Sequence, residues 1–225
     1  MNSSPHVRLF LDTAEAEAWE VWLPTGLFYG VTTNPLLLER AGVDCRVDAL
    51  GNLIEKALNL GVQEVQVQTW GETPETLFER GQRLAALNPA VVVKVPITQV
   101  GTTAAAQLVK AGVRVTLTGI YALHQVLIGA AIGAEYVAPY LGRISDSGRD
   151  GRQLVAQMQQ VLKGVQSPTR MLTASIREVA DIAELATAAV DTFTFSSAIA
   201  TQFFNVPATL AATADFERAA KAMGG

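Results

Sequence analysis

The chain has 225 residues, 49% of them hydrophobic and 17% charged, with a formal net charge of −4. This composition supplies a sizeable core and excludes a disordered chain. The small net charge and the lack of a basic stripe exclude nucleic-acid binding as an expectation, and no apolar run is long enough to span a membrane.

In chain order, strand signals alternate with helix signals from end to end. Val7–Leu11 reads as a first strand ending at Asp12, and Thr13–Leu23 as a helix with Thr13 as its N-cap. Pro24-Thr25-Gly26 breaks it. Residues 27–33 form a second strand ending in Thr32-Thr33-Asn34-Pro35. Residues 46–59 carry helical spacing, Glu64–Gln68 a short third strand, and Thr73 to about Leu87 a helix with proline in its first turn. Val91–Pro96 is the fourth strand, followed by a helix over 99–110. Then come a strand at 113–118, a helix at 120–132 and a strand at 135–138. Residues 142–151 are dense in Gly, Ser, Asp and Arg and predict a loop. A helix at 152–163, a strand at 170–174, a helix at 176–188 and a strand at 190–195 follow. Two helical pieces, near 197–203 and 206–223, close the chain.

Eight strand–helix units without a break in composition predict a single-domain (β/α)8 barrel over residues 1–225, with 206–223 as an extra C-terminal helix. A doubly wound open sheet is the alternative, but no Gly-x-Gly-x-x-Gly turn follows the first strand.

One stretch stands out. Lys94 is flanked by β-branched residues in Val91-Val92-Val93-Lys94-Val95-Pro96, a run that reads as a strand buried on both faces. Desolvation there disfavours the charged ammonium, and a lysine partly neutral near pH 7 can form a Schiff base with a carbonyl. The plainer reading is an interior lysine paired with a carboxylate.

The remaining chemistry is limited. Cys45 is the only cysteine, read as a free thiol on a turn, which rules out an intramolecular disulfide. His6, in the tail, and His124, beside alanines, are too few for a serine–histidine triad or a histidine-rich zinc site, so no metal is expected. The N-terminal Met1-Asn2-Ser3-Ser4-Pro5-His6 lacks the blocks of a signal peptide, which fits a cytoplasmic protein.

In a barrel, active groups gather at the C-terminal ends of strands. Asp12, Thr33, Asn34, Gln68, Lys94, Thr118, Tyr140, Arg143, Ser175 and Arg177 all fall at or just beyond such ends. Singly, each has a dull explanation: Asp12 could cap the first helix, and Asn34-Pro35 is good turn chemistry.

Five motifs, Leu9-Phe10-Leu11-Asp12-Thr13, Val31-Thr32-Thr33-Asn34-Pro35, Val92-Val93-Lys94-Val95-Pro96, Ala138-Pro139-Tyr140-Leu141-Gly142-Arg143 and Thr173-Ala174-Ser175-Ile176-Arg177, together resemble the transaldolase family. Among its members, the chain looks like the small-subunit branch that includes fructose-6-phosphate aldolases. The resemblance implies that Lys94 forms the imine with a ketose phosphate and that Asp12 handles protons at the hydroxyl whose loss drives carbon–carbon cleavage. It implies that Thr118 positions a proton-shuttling water, that Asn34 and Ser175 hold substrate hydroxyls or the nearby lysine, with Thr33 also in substrate binding, and that Arg143, with Ser175 and Arg177, grips the phosphate. It further implies no organic cofactor and a homo-oligomer, pentamer or decamer.

Gln68 and Tyr140 match the aldolase subtype, where transaldolases carry glutamate and phenylalanine. Gln66, on the same strand face as Gln68, is an alternative for its place. Leu141-Gly142-Arg143 is closer to the transaldolase form. The expected activity is therefore reversible cleavage of fructose 6-phosphate to dihydroxyacetone and glyceraldehyde 3-phosphate. A transaldolase of the pentose phosphate pathway and a non-catalytic sugar-phosphate-binding barrel are the alternatives.

Overall fold

The computed structural model describes residues 7–225, and the tail expectation for His6 lies outside them. Eight parallel strands close into a barrel in sequence order: β1 Arg8–Asp12, β2 Gly30–Thr32, β3 Glu64–Gln68, β4 Val91–Pro96, β5 Val115–Ile120, β6 Tyr136–Pro139, β7 Arg170–Thr173 and β8 Thr192–Phe195. The helices are α1 Ala16–Trp22, α2 Pro35–Arg40, α3 Val47–Asn59, α4 Pro74–Ala85, α5 Gln99–Lys110, α6 Gln125–Ile132, α7 Leu141–Asp146, α8 Gly151–Gly164, α9 Val179–Thr187, α10 Ser197–Phe204 and α11 Pro207–Ala222. The (β/α)8 barrel expected from the alternation is what the chain forms. No helix among the described residues is long and apolar enough to cross a membrane.

The valine run shows how sequence becomes architecture. Side chains alternate across a strand, so Val91, Val93 and Val95 join the core between strands and helices, whereas Val92 joins the barrel-interior cluster of Phe10, Tyr136, Ala138 and Leu172. All four valines are at most 3% exposed, and each stabilises the fold by about 1.5–3 kcal/mol through burial. Lys94 shares the inward face with Val92 and is delivered to the barrel axis.

Several boundaries differ from the sequence reading. Thr13 does not cap α1. The helix begins three residues later behind Glu15, and the Thr13 hydroxyl instead accepts from the Glu15 N–H. The chain needs residues 13–15 to turn off the end of β1, and Trp19 secures that turn by donating from its indole to the Thr13 carbonyl at 3.1 Å. Residues 142–151 are not one loop: α7 occupies their first half and α8 begins at Gly151, leaving a turn over 147–150. Polar composition there reflects short exposed helix ends, with Asp150 capping α8 by accepting from the Gln153 N–H. The helix expected over 120–132 starts only at Gln125, because Ile120 still belongs to β5, and that expected over 176–188 starts at Val179.

Candidate active site at the C-terminal rim

A cavity of about 310 Å³ opens at the C-terminal ends of the strands. Seven of the residues singled out from sequence line it: Asp12, Asn34, Gln68, Lys94, Tyr140, Arg143 and Ser175. They come from six different βα units, so only closure of the barrel brings them together.

Lys94 lies at the floor, 4% exposed. Its Nζ donates to the Thr33 carbonyl at 2.8 Å, and no carboxylate lies within ion-pair distance among the described residues. The carboxylate-paired alternative therefore does not hold. An amine with one backbone acceptor and an open cavity beside it has room to attack a carbonyl.

Asp12 does not cap a helix either. One carboxylate oxygen accepts from the Thr32 hydroxyl at 2.6 Å, and the Thr32 and Thr194 hydroxyls lie 2.5 Å apart. Thr32 has one proton and gives it to Asp12, so Thr194 must donate to Thr32. This buried two-hydroxyl chain orients the carboxylate toward the cavity. Neither threonine was singled out from sequence, where a threonine in a strand reads as β-propensity. The signal was present: Thr32 lies two residues after Gly30 on the inward face of β2, and Thr194 two after Thr192 on that of β8.

Asn34 is the N-cap of α2, its Oδ1 accepting from the Leu36 and Leu37 N–H groups at 3.0 and 3.1 Å. With that oxygen committed, the amide nitrogen is left as a donor at the cavity wall. Turn chemistry and site chemistry thus coincide in one residue. Gln68 stands beside Lys94 in the β3–β4 register. Gln66 is a layer deeper, bridging Glu64 and Thr116 at 2.8 Å each, and does not reach the cavity.

Thr118 touches the site through Tyr140, the two hydroxyls lying 2.8 Å apart. The pairing of β5 with β6 is irregular beside this contact, between Thr118 and Ile120. Gly119, between them, has a φ of 80°, a conformation costly for other residues. The Arg143 guanidinium sits 5.1 Å over the Tyr140 ring and donates to the Tyr121 hydroxyl at 3.4 Å. That hydrogen bond is the main reason its proton is held more firmly than in a free arginine. Ser175 adopts a left-handed φ of 59° at the end of β7, a strain of the kind found at functional sites.

Two of the expected binding residues stand apart. Thr33 contributes its carbonyl to Lys94, while its buried hydroxyl has no partner among the described residues. Arg177 points away from the cavity into a neighbouring groove, paired with Asp146 at 2.6 Å. The cavity wall also includes Arg40, Ala138 and Leu172, which the sequence reading did not select. No group of three or more His, Cys, Asp or Glu among the described residues is placed to hold a metal ion.

The chain is similar to known proteins over nearly its whole length. Residues 9–224 match the family model described as transaldolase/fructose-6-phosphate aldolase. A "Probable transaldolase" of Maridesulfovibrio salexigens is 34% identical over 96% of this chain and 100% of its own length. One from Thermus thermophilus is 31% identical over 90% of this chain and 93% of its own. A solved structure of a candidate phosphonomutase from Burkholderia cenocepacia superposes with a TM-score of 0.61, covering 93% of each chain at 17% identity, and shares the fold alone. With Lys94, Asp12 and Tyr140 lining one cavity and a family match over residues 9–224, the chain belongs to the transaldolase/fructose-6-phosphate aldolase family.

Proposed function

We propose that this protein is a Schiff-base aldolase that reversibly cleaves fructose 6-phosphate to dihydroxyacetone and glyceraldehyde 3-phosphate, without a cofactor. The observation that carries the aldolase reading is the Tyr140–Thr118 hydroxyl pair at 2.8 Å, facing a cavity that also holds Lys94 and Gln68. The Lys94 amine attacks the C2 carbonyl, and loss of water leaves an iminium. This is an electron sink. A base removes the proton of the C4 hydroxyl, the C3–C4 bond breaks, and its electrons flow into the iminium to give an enamine while the aldehyde departs. Protonation of the enamine and attack by water release dihydroxyacetone and restore Lys94.

Tyr140 and Thr118 can hold the water that carries these protons, since a phenol both donates and accepts. Gln68 can orient that water but cannot take its proton. Asp12, steadied by Thr32, handles the proton at the cleaved hydroxyl. Asn34 and Ser175 meet substrate hydroxyls, Thr33 holds the lysine, and Arg143, aided by Ser175 and Arg177, takes the phosphate.

The second reading is a transaldolase, which passes the same three-carbon unit to an acceptor sugar phosphate. It is favoured by the names of the relatives and by Leu141-Gly142-Arg143. An assay with fructose 6-phosphate, with and without erythrose 4-phosphate, separates the two. Glyceraldehyde 3-phosphate released without acceptor supports the aldolase, and release only with acceptor supports the transaldolase. A barrel that merely binds sugar phosphate would form no borohydride-trapped adduct.

We also read residues 1–225 as one cytoplasmic domain that assembles through its C-terminal helix into a pentamer or decamer. No residue of α11 is buried, and Leu210 and Phe216 lie exposed on it. Light scattering returning a monomer mass would remove this part.

A further inference from the structure

We propose that Asp146 acts as a built-in competitor of substrate phosphate, holding Arg177 outside the cavity until a phosphate group displaces it, and so sets how strongly the enzyme prefers phosphorylated substrates. This rests on the reading of Arg143 and Arg177 as the phosphate-gripping pair.

The geometry is specific. Arg143 and Asp146 lie three residues apart on α7, with Arg143 lining the cavity and Asp146 the groove behind it. Arg177 comes two residues after the cavity-lining Ser175, yet its Nη2 is drawn into that groove and pairs with Asp146 Oδ2 at 2.6 Å. Its stem passes over Gly142, where a Cβ would come within 2.5 Å of Nε and 2.9 Å of Cγ. The Gly142 N–H also donates to the Ser175 carbonyl at 2.8 Å, which pins the start of α7 against the end of β7. Glycine at 142 therefore serves two close approaches at once, that of the Ser175 carbonyl, which a Cβ would meet first, and that of the Arg177 stem. The charge of Asp146 acts on Arg143 as well. One carboxylate thus acts on both arginines, pairing with Arg177 in the groove and lying near enough to Arg143 to raise its pKa.

The exchange is accessible because the pair is weak. Both side chains are more than half exposed, at 59% and 60%, and exposed ion pairs of this kind change an affinity by no more than about fivefold. A phosphate offers Arg177 a bidentate, doubly charged partner in place of one carboxylate oxygen. An unphosphorylated substrate offers it nothing, so the pair persists.

The test measures binding of inorganic phosphate by calorimetry to wild type, Asp146→Asn, Arg177→Ala and the double variant. The KM ratio for glyceraldehyde 3-phosphate against glyceraldehyde, each added to dihydroxyacetone, provides a kinetic readout. Asp146→Asn is expected to tighten phosphate about two- to fivefold and to lower the KM ratio by a similar factor. That gain is expected to vanish when Arg177 is alanine. Unchanged or weaker phosphate binding in Asp146→Asn overturns the proposal. So does an equal gain in the Arg177→Ala background, which would mean that Asp146 repels phosphate without acting through Arg177. Arg143→Ala binding phosphate as tightly as wild type would instead remove the phosphate-site reading, and the proposal with it.

Discussion

The two ends of the barrel are built from the same strands and solve opposite problems. At the N-terminal end, Glu64 is fully buried and bonded to Arg114, which also forks onto both oxygens of Glu135 at 2.6 Å. Arg8 donates to Tyr136, whose hydroxyl in turn meets Glu64 at 3.2 Å. Among the described residues, each of these charges has an opposite partner, though the Arg8 Nε makes no hydrogen bond. At the C-terminal end, among the described residues, Lys94 has only a backbone carbonyl, Asp12 has only a threonine hydroxyl on one oxygen, and both line the cavity. β3 contributes Glu64 to one end and Gln68 to the other, four residues apart on one face. The difference teaches that buried polarity by itself does not mark a site. Polarity left incompletely satisfied at the strand C-termini does.

The sharpest way to test this contrast is to remove the principal group at the proposed active end. Lys94→Met should lose borohydride trapping and all measurable cleavage, while urea unfolding shows no loss of stability, since a buried amine gives way to an apolar chain of similar shape. A protein destabilised as strongly as it is inactivated would mean that Lys94 is structural, like the groups at the other end. Tyr140→Phe comes next. Losing the hydroxyl shared with Thr118 should lower aldol cleavage by about 10²–10⁴-fold, with stability changed by only about 1 kcal/mol. Retained cleavage would move proton transfer to Asp12.

At the other end the pattern should reverse. Glu64→Ala strands Arg114 partly buried and is expected to cost about 3 kcal/mol in urea unfolding, the low end of the range because Glu135 remains. Turnover per folded molecule should hold. The same residue makes a pH prediction. Burial, opposed by Arg114, pushes the Glu64 carboxyl above the ordinary carboxylate range. The folded state then holds this proton more tightly than the unfolded chain. The contribution is fully present below the unfolded pKa and is lost as pH rises through the raised folded one. The stability of wild type relative to Glu64→Gln should therefore fall as pH rises above the ordinary carboxylate range, about 4, and a difference that grew with pH would reverse the assigned direction. The smallest effect belongs to Thr194→Val, which removes the second hydroxyl behind Asp12. It should lower kcat/KM by about fivefold, the worth of one hydrogen bond of about 1 kcal/mol. No change would leave Thr32 alone as the support of Asp12.

Much of this molecule was legible in the sequence because its signals are local. The valine run around Lys94, the proline-opened start of α4 and the alternation of strands and helices depend on neighbours within a few residues, and eight such units without a Gly-x-Gly-x-x-Gly turn favour a barrel over a doubly wound sheet. Asp12, Asn34, Gln68, Lys94, Tyr140, Arg143 and Ser175 could be picked out because strand C-termini are readable and all converge on one rim. Boundaries after strands were less legible, as at Thr13 and over 142–151, because turning the chain off a barrel strand uses residues whose propensities suit either a cap or a loop.

What only the tertiary structure decided concerns partners far apart in the chain. That Lys94 meets a carbonyl and no carboxylate, that Gln68 and not Gln66 reaches the cavity, that Thr194 stands behind Thr32 and Asp12, and that Arg177 is held by Asp146 all depend on barrel closure. Closure and register set which inward residue of each strand lies in which layer, and a periodicity of two along one strand carries no information about the layer of the next.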